Sequence, residues 1–308
     1  MRSRIVIAVA AIAVFFGIQA GQGVGADELL KPFFLAGESS KSLSATATET
    51  KNKLTLGGFE VVGEHSPYEN TLLLIVTNDV LKAAAAKSDF GGYAAAQRVS
   101  LSLVGDKVQI SYTNPEYLAA AYRMAVDLSD IRAALGKALG TGEAYGMAVG
   151  MTEDDLRGYH YMFGMEYFDE PSELAEYDSH EEAIAALEKG LAAKTSGVSK
   201  VYRVDVTGKK ESVFGVGMVG SGPGGTMQDD EYIMSQIDFS DIKSAAHLPY
   251  EILVSGNKVY ALYARFRIAI SFPDLSMMGS NSFMSILECP ATIEKALTLA
   301  AGGTPVEN

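Results

Sequence analysis

The stretch Gly158 to Pro171, GYHYMFGMEYFDEP, packs one His, three Tyr, two Met and two Phe into a short span. Thioether and imidazole ligands suit soft metals, so His160, Met162 and Met165 are candidate ligands for copper or a haem iron. Met277 and Met278 could join them. The competing reading is packing, because Met fills irregular gaps and Tyr suits surfaces with one wet end. As a strand the stretch aligns Tyr159, Tyr161 and Phe163 on one face, and as a helix after Thr152 it groups Leu156, Tyr159 and Phe163. Either period makes an apolar wall. No CxxCH haem attachment and no repeated M-x-x-M or H-x-H array accompanies it, so no cofactor is assigned and packing is the preferred reading.

A second candidate is ARFRIAISFPDL, Ala264 to Leu275. Its alternation predicts a strand with Arg265 and Arg267 on one face beside Tyr263, and with His247 and Glu251 close in sequence. Two Arg so placed can clamp a carboxylate or phosphate. The plainer alternative is ion pairing with the surplus of acids. The glycine-rich VGMVGSGPGGTM, Val216 to Met227, lacks the Lys and the spacing of a phosphate loop and reads as a turn or lid. Cys289 precedes Pro290 at an expected helix start, where a thiol gains reactivity, but a quiet half-buried thiol is the simpler expectation. No G-x-S-x-G elbow or H-E-x-x-H helix occurs, so no catalytic residue is named.

The elements that must position these groups appear in two parallel series. RVSLSLVGDKVQISYTN, Arg98 to Asn114, alternates about a Gly105-Asp106 turn. The register pairs Leu103 with Val108, Leu101 with Ile110 and Val99 with Tyr112. The opposite face, with Arg98, Ser100, Ser102, Gln109 and Ser111, is expected in solvent. PYEILVSGNKVYALYA, Pro249 to Ala264, repeats the device about Gly256-Asn257, pairing Val254 with Val259, Ile252 with Ala261 and Tyr250 with Tyr263. It is apolar on both faces and should be the more buried.

Upstream of the first hairpin the pattern predicts a helix at 44–56, strands at 59–64 and 71–77, and a helix at 79–97. Upstream of the second it predicts a helix at 181–194 capped by Ser179, strands at 200–206 and 211–219, and a helix at 241–247. Further helices follow at 129–139 and 291–300, closed by Gly140 and Gly302. The fold class is therefore α+β, with two helix-strand-strand-helix-strand-strand units, antiparallel sheets covered by helices on one face, packed as a pseudo-dimer.

GGFEVVGEHSPYENTLLLIVTNDVL followed by RVSLSLVGDKVQISYTNP resembles the domain-of-unknown-function 302 family over about Ser44 to Pro115. HLPYEILVSGNKVYALY resembles the hairpin of a second, diverged copy. The resemblance implies an α+β fold and dimer-like pairing, and it carries no reaction. The first hairpin lacks the Cys that some members of such families carry, which sets aside a shared thiol chemistry.

The N-terminus bears on compartment. Arg2 and Arg4 precede an apolar run from Ile5 to Ile18, followed by GQGVGAD, the three-part form of a signal peptide with a cut after Ala26. The run is shorter than the roughly 20 residues of a span. A periplasmic or secreted chain of about 280 residues results, with no integral membrane segment. Expected boundaries are 1–26 for the leader, 27–150 for the first unit, 151–178 for a Tyr/Met-rich connector and 179–308 for the second unit.

The net charge of −13, with no basic cluster, argues against nucleic acid as a partner. The single Cys excludes an internal disulfide. The expected function is a non-enzymatic protein binding a small amphipathic or anionic ligand between the units. Arg265, Arg267, Tyr263, His247 and Glu251 would contact the ligand, and Tyr159, Tyr161 and Phe163 would form the wall. The alternatives are a periplasmic redox or metal-handling protein and a structural, partner-binding subunit. A further homo-oligomer is compatible with each.

Overall fold

The computed structural model describes residues 28–162, 164–222 and 224–306. The expected leader and Phe163 lie outside the described residues.

In chain order the first half contains β1 (Phe33–Ser39), α1 (Leu43–Leu56), β2 (Glu60–His65), β3 (Thr71–Thr77), α2 (Asp79–Ala85), β4 (Gln97–Val104), β5 (Lys107–Thr113), α3 (Pro115–Ala121), α4 (Ser129–Leu139) and β6 (Glu143–Tyr145). A short helix, α5 (Glu153–Arg157), leads to the second half. There follow β7 (Ser172–Glu176), α6 (His180–Ala192), β8 (Val198–Asp205), β9 (Glu211–Met218), α7 (Asp230–Ile237), β10 (Tyr250–Ser255), β11 (Lys258–Ala261), α8 (Ala264–Ser271) and α9 (Cys289–Ala300). Side-chain oxygens of Ser42, Asn78, Asn114, Thr152, Ser179 and Asp229 accept from free backbone N–H groups at the starts of α1, α2, α3, α5, α6 and α7, which fixes where those helices begin. Among the described residues no helix is long and apolar enough to cross a membrane.

The protein is α+β, with two antiparallel sheets. The first has the order β2-β3-β4-β5-β1-β6, and the second, read from its far end, β8-β9-β10-β11-β7. Each half sets four consecutive strands side by side and adds its own first strand beyond the fourth. That first strand, β1 or β7, was not foreseen, and β7 lies within the segment expected to be a connector. The first hairpin has the expected register throughout, including Val99 opposite Tyr112. In the second, Val254 and Ile252 meet Val259 and Ala261, but β11 stops at Ala261 and Tyr263 leaves the sheet to precede α8.

Several expectations need correction. The helix expected at 79–97 ends at Ala85. Phe90 turns left-handed, residues 91–94 form one 3-10 turn, and Gln97 already belongs to β4. The 91–94 turn packs closely on the second sheet, since a Cβ at Gly92 would strike Leu253 of β10. The helix expected at 241–247 shrinks to a 3-10 turn at Ala245–His247, and the acidic QDDEY instead opens α7. Ala264–Ser271 is a helix, not a strand. Its period-two pattern also sets Phe266, Ala269 and Ile270 at helical spacing, and burial selects that period.

The first hairpin is not half-solvated. Arg98, Ser100, Ser102, Gln109 and Ser111 are all buried, so it is buried on both faces like the second hairpin. Helices α1 and α4 cover the apolar side of the first half, and α6 and α9 pack with the second. The polar side of β4 and β5 faces the 245–247 turn, while β9 and β10 face the 91–94 turn, and β2 lies along β8. The two halves thus meet across sheet faces rather than through a linker.

Close helix packing explains Gly190 inside α6, where a Cβ would fall inside contact distance of the Ala300 carbonyl oxygen of α9. Helix propensity alone favours Ala there by about 1 kcal/mol. Gly190→Ala is expected to lower the melting temperature instead of raising it, as differential scanning calorimetry would show.

The seam between the halves as candidate functional site

Burying the polar face of β4 brings Arg98 to 3% exposure, and a buried guanidinium requires a partner. Its Nη1 donates to Oε1 of Glu251 on β10 at 2.9 Å. The other oxygen, Oε2, accepts from Nη1 of Arg267 on α8 at 3.3 Å. The hydroxyl of Tyr202 on β8 donates to Oε1 at 3.1 Å. Tyr202 reaches across because its cross-strand neighbour is Gly215, whose missing Cβ leaves the floor for the ring. Arg267 also donates to the carbonyls of His247 and Pro249 and lies 4.9 Å above the Tyr250 ring. One carboxylate therefore ties β4 of the first half to β8, β10 and α8 of the second.

Electrostatics in this cluster are set by burial. Burial works against the Arg98 charge, but Glu251 together with Tyr122 and Tyr202 offsets it and the guanidinium stays above its ordinary value. Burial, then Arg267 and Arg98, push His247 well below the usual histidine range, so it is neutral. Its Nδ1 lies 2.9 Å from the Ser271 hydroxyl and its Nε2 lies 3.4 Å from that of Tyr250. Burial raises Tyr202 strongly, so it serves as a donor and not as a charge.

The structure brings Arg267, His247 and Glu251 together, but inside the core. On a helix, residues two apart diverge by about 200°, so Arg265 points elsewhere. It pairs with Glu166 and sits 4.9 Å over the Tyr263 ring. The expected two-arginine clamp does not exist.

α5 ends at Arg157, and the described residues of the 158–171 stretch belong to neither helix nor strand. Tyr159 donates to the carbonyl of Ala269 at 3.3 Å, and Tyr161 to that of Leu275 at 3.1 Å. Both therefore brace α8 and its exit. Phe168, not singled out from sequence, stacks on Tyr122 at 5.3 Å and meets Tyr93 and Phe266, at 6.3 Å each. His160 packs 4.5 Å from the Tyr167 ring, while Met162 is 46% exposed and Met165 half-buried. Among the described residues no three His, Cys, Asp or Glu converge on a metal-sized site. Met277 packs on the core and Met278 is exposed.

Cys289 is buried at the start of α9, 3.9 Å from the Met227 sulfur, and burial pushes its thiol up to about 12. Reactivity from the helix terminus is outweighed. The glycine-rich turn has its amides taken by acids, Asp229 accepting from Gly220 at 2.6 Å and Asp230 from Met218 at 2.9 Å. His180, at the start of α6, has its Nδ1 2.7 Å from the Gly256 carbonyl.

Beside the cluster, the seam opens into a cleft of about 440 Å³. Tyr145 and Met147 come from the first half, and Ile242 and Phe272 from the second. Asp238, Asp241 and Asp274 supply carboxylates. Tyr145 is fixed by a 2.7 Å hydrogen bond to the Lys243 carbonyl, and Phe272 by an edge contact with His247. Asp238 accepts from the Ser244 N–H through both oxygens at 3.0 Å, yet burial raises its pKa to about 6. Nothing in the local sequence distinguishes Asp238 from other acids. Arg98 did carry a signal, as the one arginine on the first hairpin's polar face.

Glu251→Gln would leave two guanidiniums buried without a counter-charge. We expect a loss of about 3–5 kcal/mol in urea unfolding, against less than about 1 kcal/mol for Glu166→Gln at the half-buried Arg265 pair. No family model matches this chain, and no curated protein or solved structure is similar enough to match it.

Proposed function

We propose that the chain is an exported, non-enzymatic binding protein that takes a small amphipathic cation in the cleft between its halves. The composition of the cleft wall carries this reading. Aromatic and aliphatic side chains form the surface, three carboxylates ring it, and no Lys or Arg lines it among the described residues. Its volume lies within the range of small-molecule sites. The net charge of −13 adds a long-range field that favours cations over anions. The sign of the ligand is thus the opposite of the anion suggested by Arg265 and Arg267, while its amphipathic character stays. We further propose that the halves derive from a tandem duplication paired as a covalent pseudo-dimer. The common strand order and the resemblance of residues 44–115 to the domain-of-unknown-function 302 family support that origin.

Asp238 supplies the test. Its folded pKa of about 6 lies above the ordinary 3.8, so the folded state holds the proton more tightly than the unfolded chain. Stability therefore falls as pH rises through this interval and is unaffected below it. Asp238→Asn is expected to flatten that fall in a series of thermal melts. Phenethylamine should bind at pH 7, bind more weakly as pH drops through about 6, and bind poorly to the variant in calorimetric titration. Equal binding of phenylpropionate, an anion of similar size, would overturn the proposal.

A further inference from the structure

The buried clamp has a charge imbalance that its hydrogen bonds do not resolve. Arg98 and Arg267 are both buried, and they share the single carboxylate of Glu251. The other buried acids of the second half are engaged elsewhere. Glu211 pairs with Lys209 at 2.9 Å, and Asp230 accepts from the Met218 N–H and lies 3.9 Å from His65. His247 is neutral and the surrounding tyrosines are held protonated by burial. The cluster therefore carries one net positive charge in the interior. Isolated buried charge is costly, and interiors usually neutralise it.

The donor inventory points the same way. Nε of Arg98 and Nε of Arg267 are buried and donate to no protein acceptor, and neither does the buried hydroxyl of Tyr93. Tyr93 packs against Tyr122, ring centroids 6.3 Å apart, next to this cluster. Three orphaned donors and one excess positive charge in one neighbourhood specify an acceptor that is small, monovalent and negative.

We propose that the Arg98–Glu251–Arg267 cluster binds one small inorganic monoanion, of the size of chloride, at the join between the halves. The ion accepts from the free guanidinium edges and Tyr93, and it neutralises the second arginine. Binding is linked to the joined state of the halves, because Arg98 comes from one and Arg267 from the other. The inference is independent of the amine cleft, whose wall shares none of these residues.

The test uses the intact protein in bromide. Crystals grown in sodium bromide should give an anomalous peak within hydrogen-bond distance of both guanidiniums. Melting temperature should rise by a few degrees for each tenfold increase in chloride above the dissociation constant. Sodium gluconate at equal ionic strength should not reproduce it. Arg98→Met removes the excess charge and should abolish the chloride response. If that variant does not fold, Tyr93→Phe should retain the fold and shift the response to at least several-fold higher chloride. A water at the site, an adventitious ion only at exposed side chains, or equal response to chloride and gluconate would overturn the proposal.

Discussion

The architecture depends on one requirement, that a charged residue placed on a buried sheet face must find its counter-charge in the other half of the chain. Arg98 sits at one end of an otherwise serine- and glutamine-lined surface of β4 and β5, where water would ordinarily solvate it. Once β10 closes over that surface, Glu251 is the partner that makes burial tolerable. Much of the second half is arranged to present that carboxylate. Tyr202 crosses a glycine to reach it, α8 delivers Arg267 to its other oxygen, and the tyrosines at 159 and 161 hold α8 from behind. Packing of this kind is specific in a way that a purely apolar seam is not, since a register slip of one residue would turn Arg98 away from Glu251.

Local pattern made the scaffold readable. Strict alternation around Gly105-Asp106 gave the first hairpin to the residue pair. Polar caps such as Ser179 and helical spacing gave α1, α4 and α6 with small errors at their ends. The inner strands of both sheets were visible for the same reason. What alternation cannot say is whether a polar face meets water or another polar face. Ser100, Ser102 and Ser111 look identical in either case, so the buried seam was invisible from within one hairpin.

The failure at residues 264–271 has a related origin. Arg265-Phe266-Arg267-Ile268 satisfies a strand and a helix equally over so short a run, and tertiary burial decides between them. Choosing the strand put both arginines on one face and suggested an anion. The helix sends one to the core and one to Glu166. The cleft was missed because its acids, Asp238, Asp241 and Asp274, come from loops that follow α7 and α8, where chain path rather than periodicity sets position. The dense aromatic stretch was easier to judge, because its composition suits packing whatever its backbone does.

The arrangement of strand ends has a consequence for life at high concentration. Each sheet offers two edges at which a foreign strand could add itself. The β2 and β8 edges lie against each other and are mutually shielded. The remaining edges are β6, three residues long, and β7, five residues long and carrying Glu173 and Glu176. Short or acidic borders give an incoming strand few amides to match and a like charge to overcome in an acidic protein. Exposed sheet is thereby kept from serving as a template, and self-association by strand addition is discouraged at both borders, with Pro171 adding a residue that cannot donate just before β7.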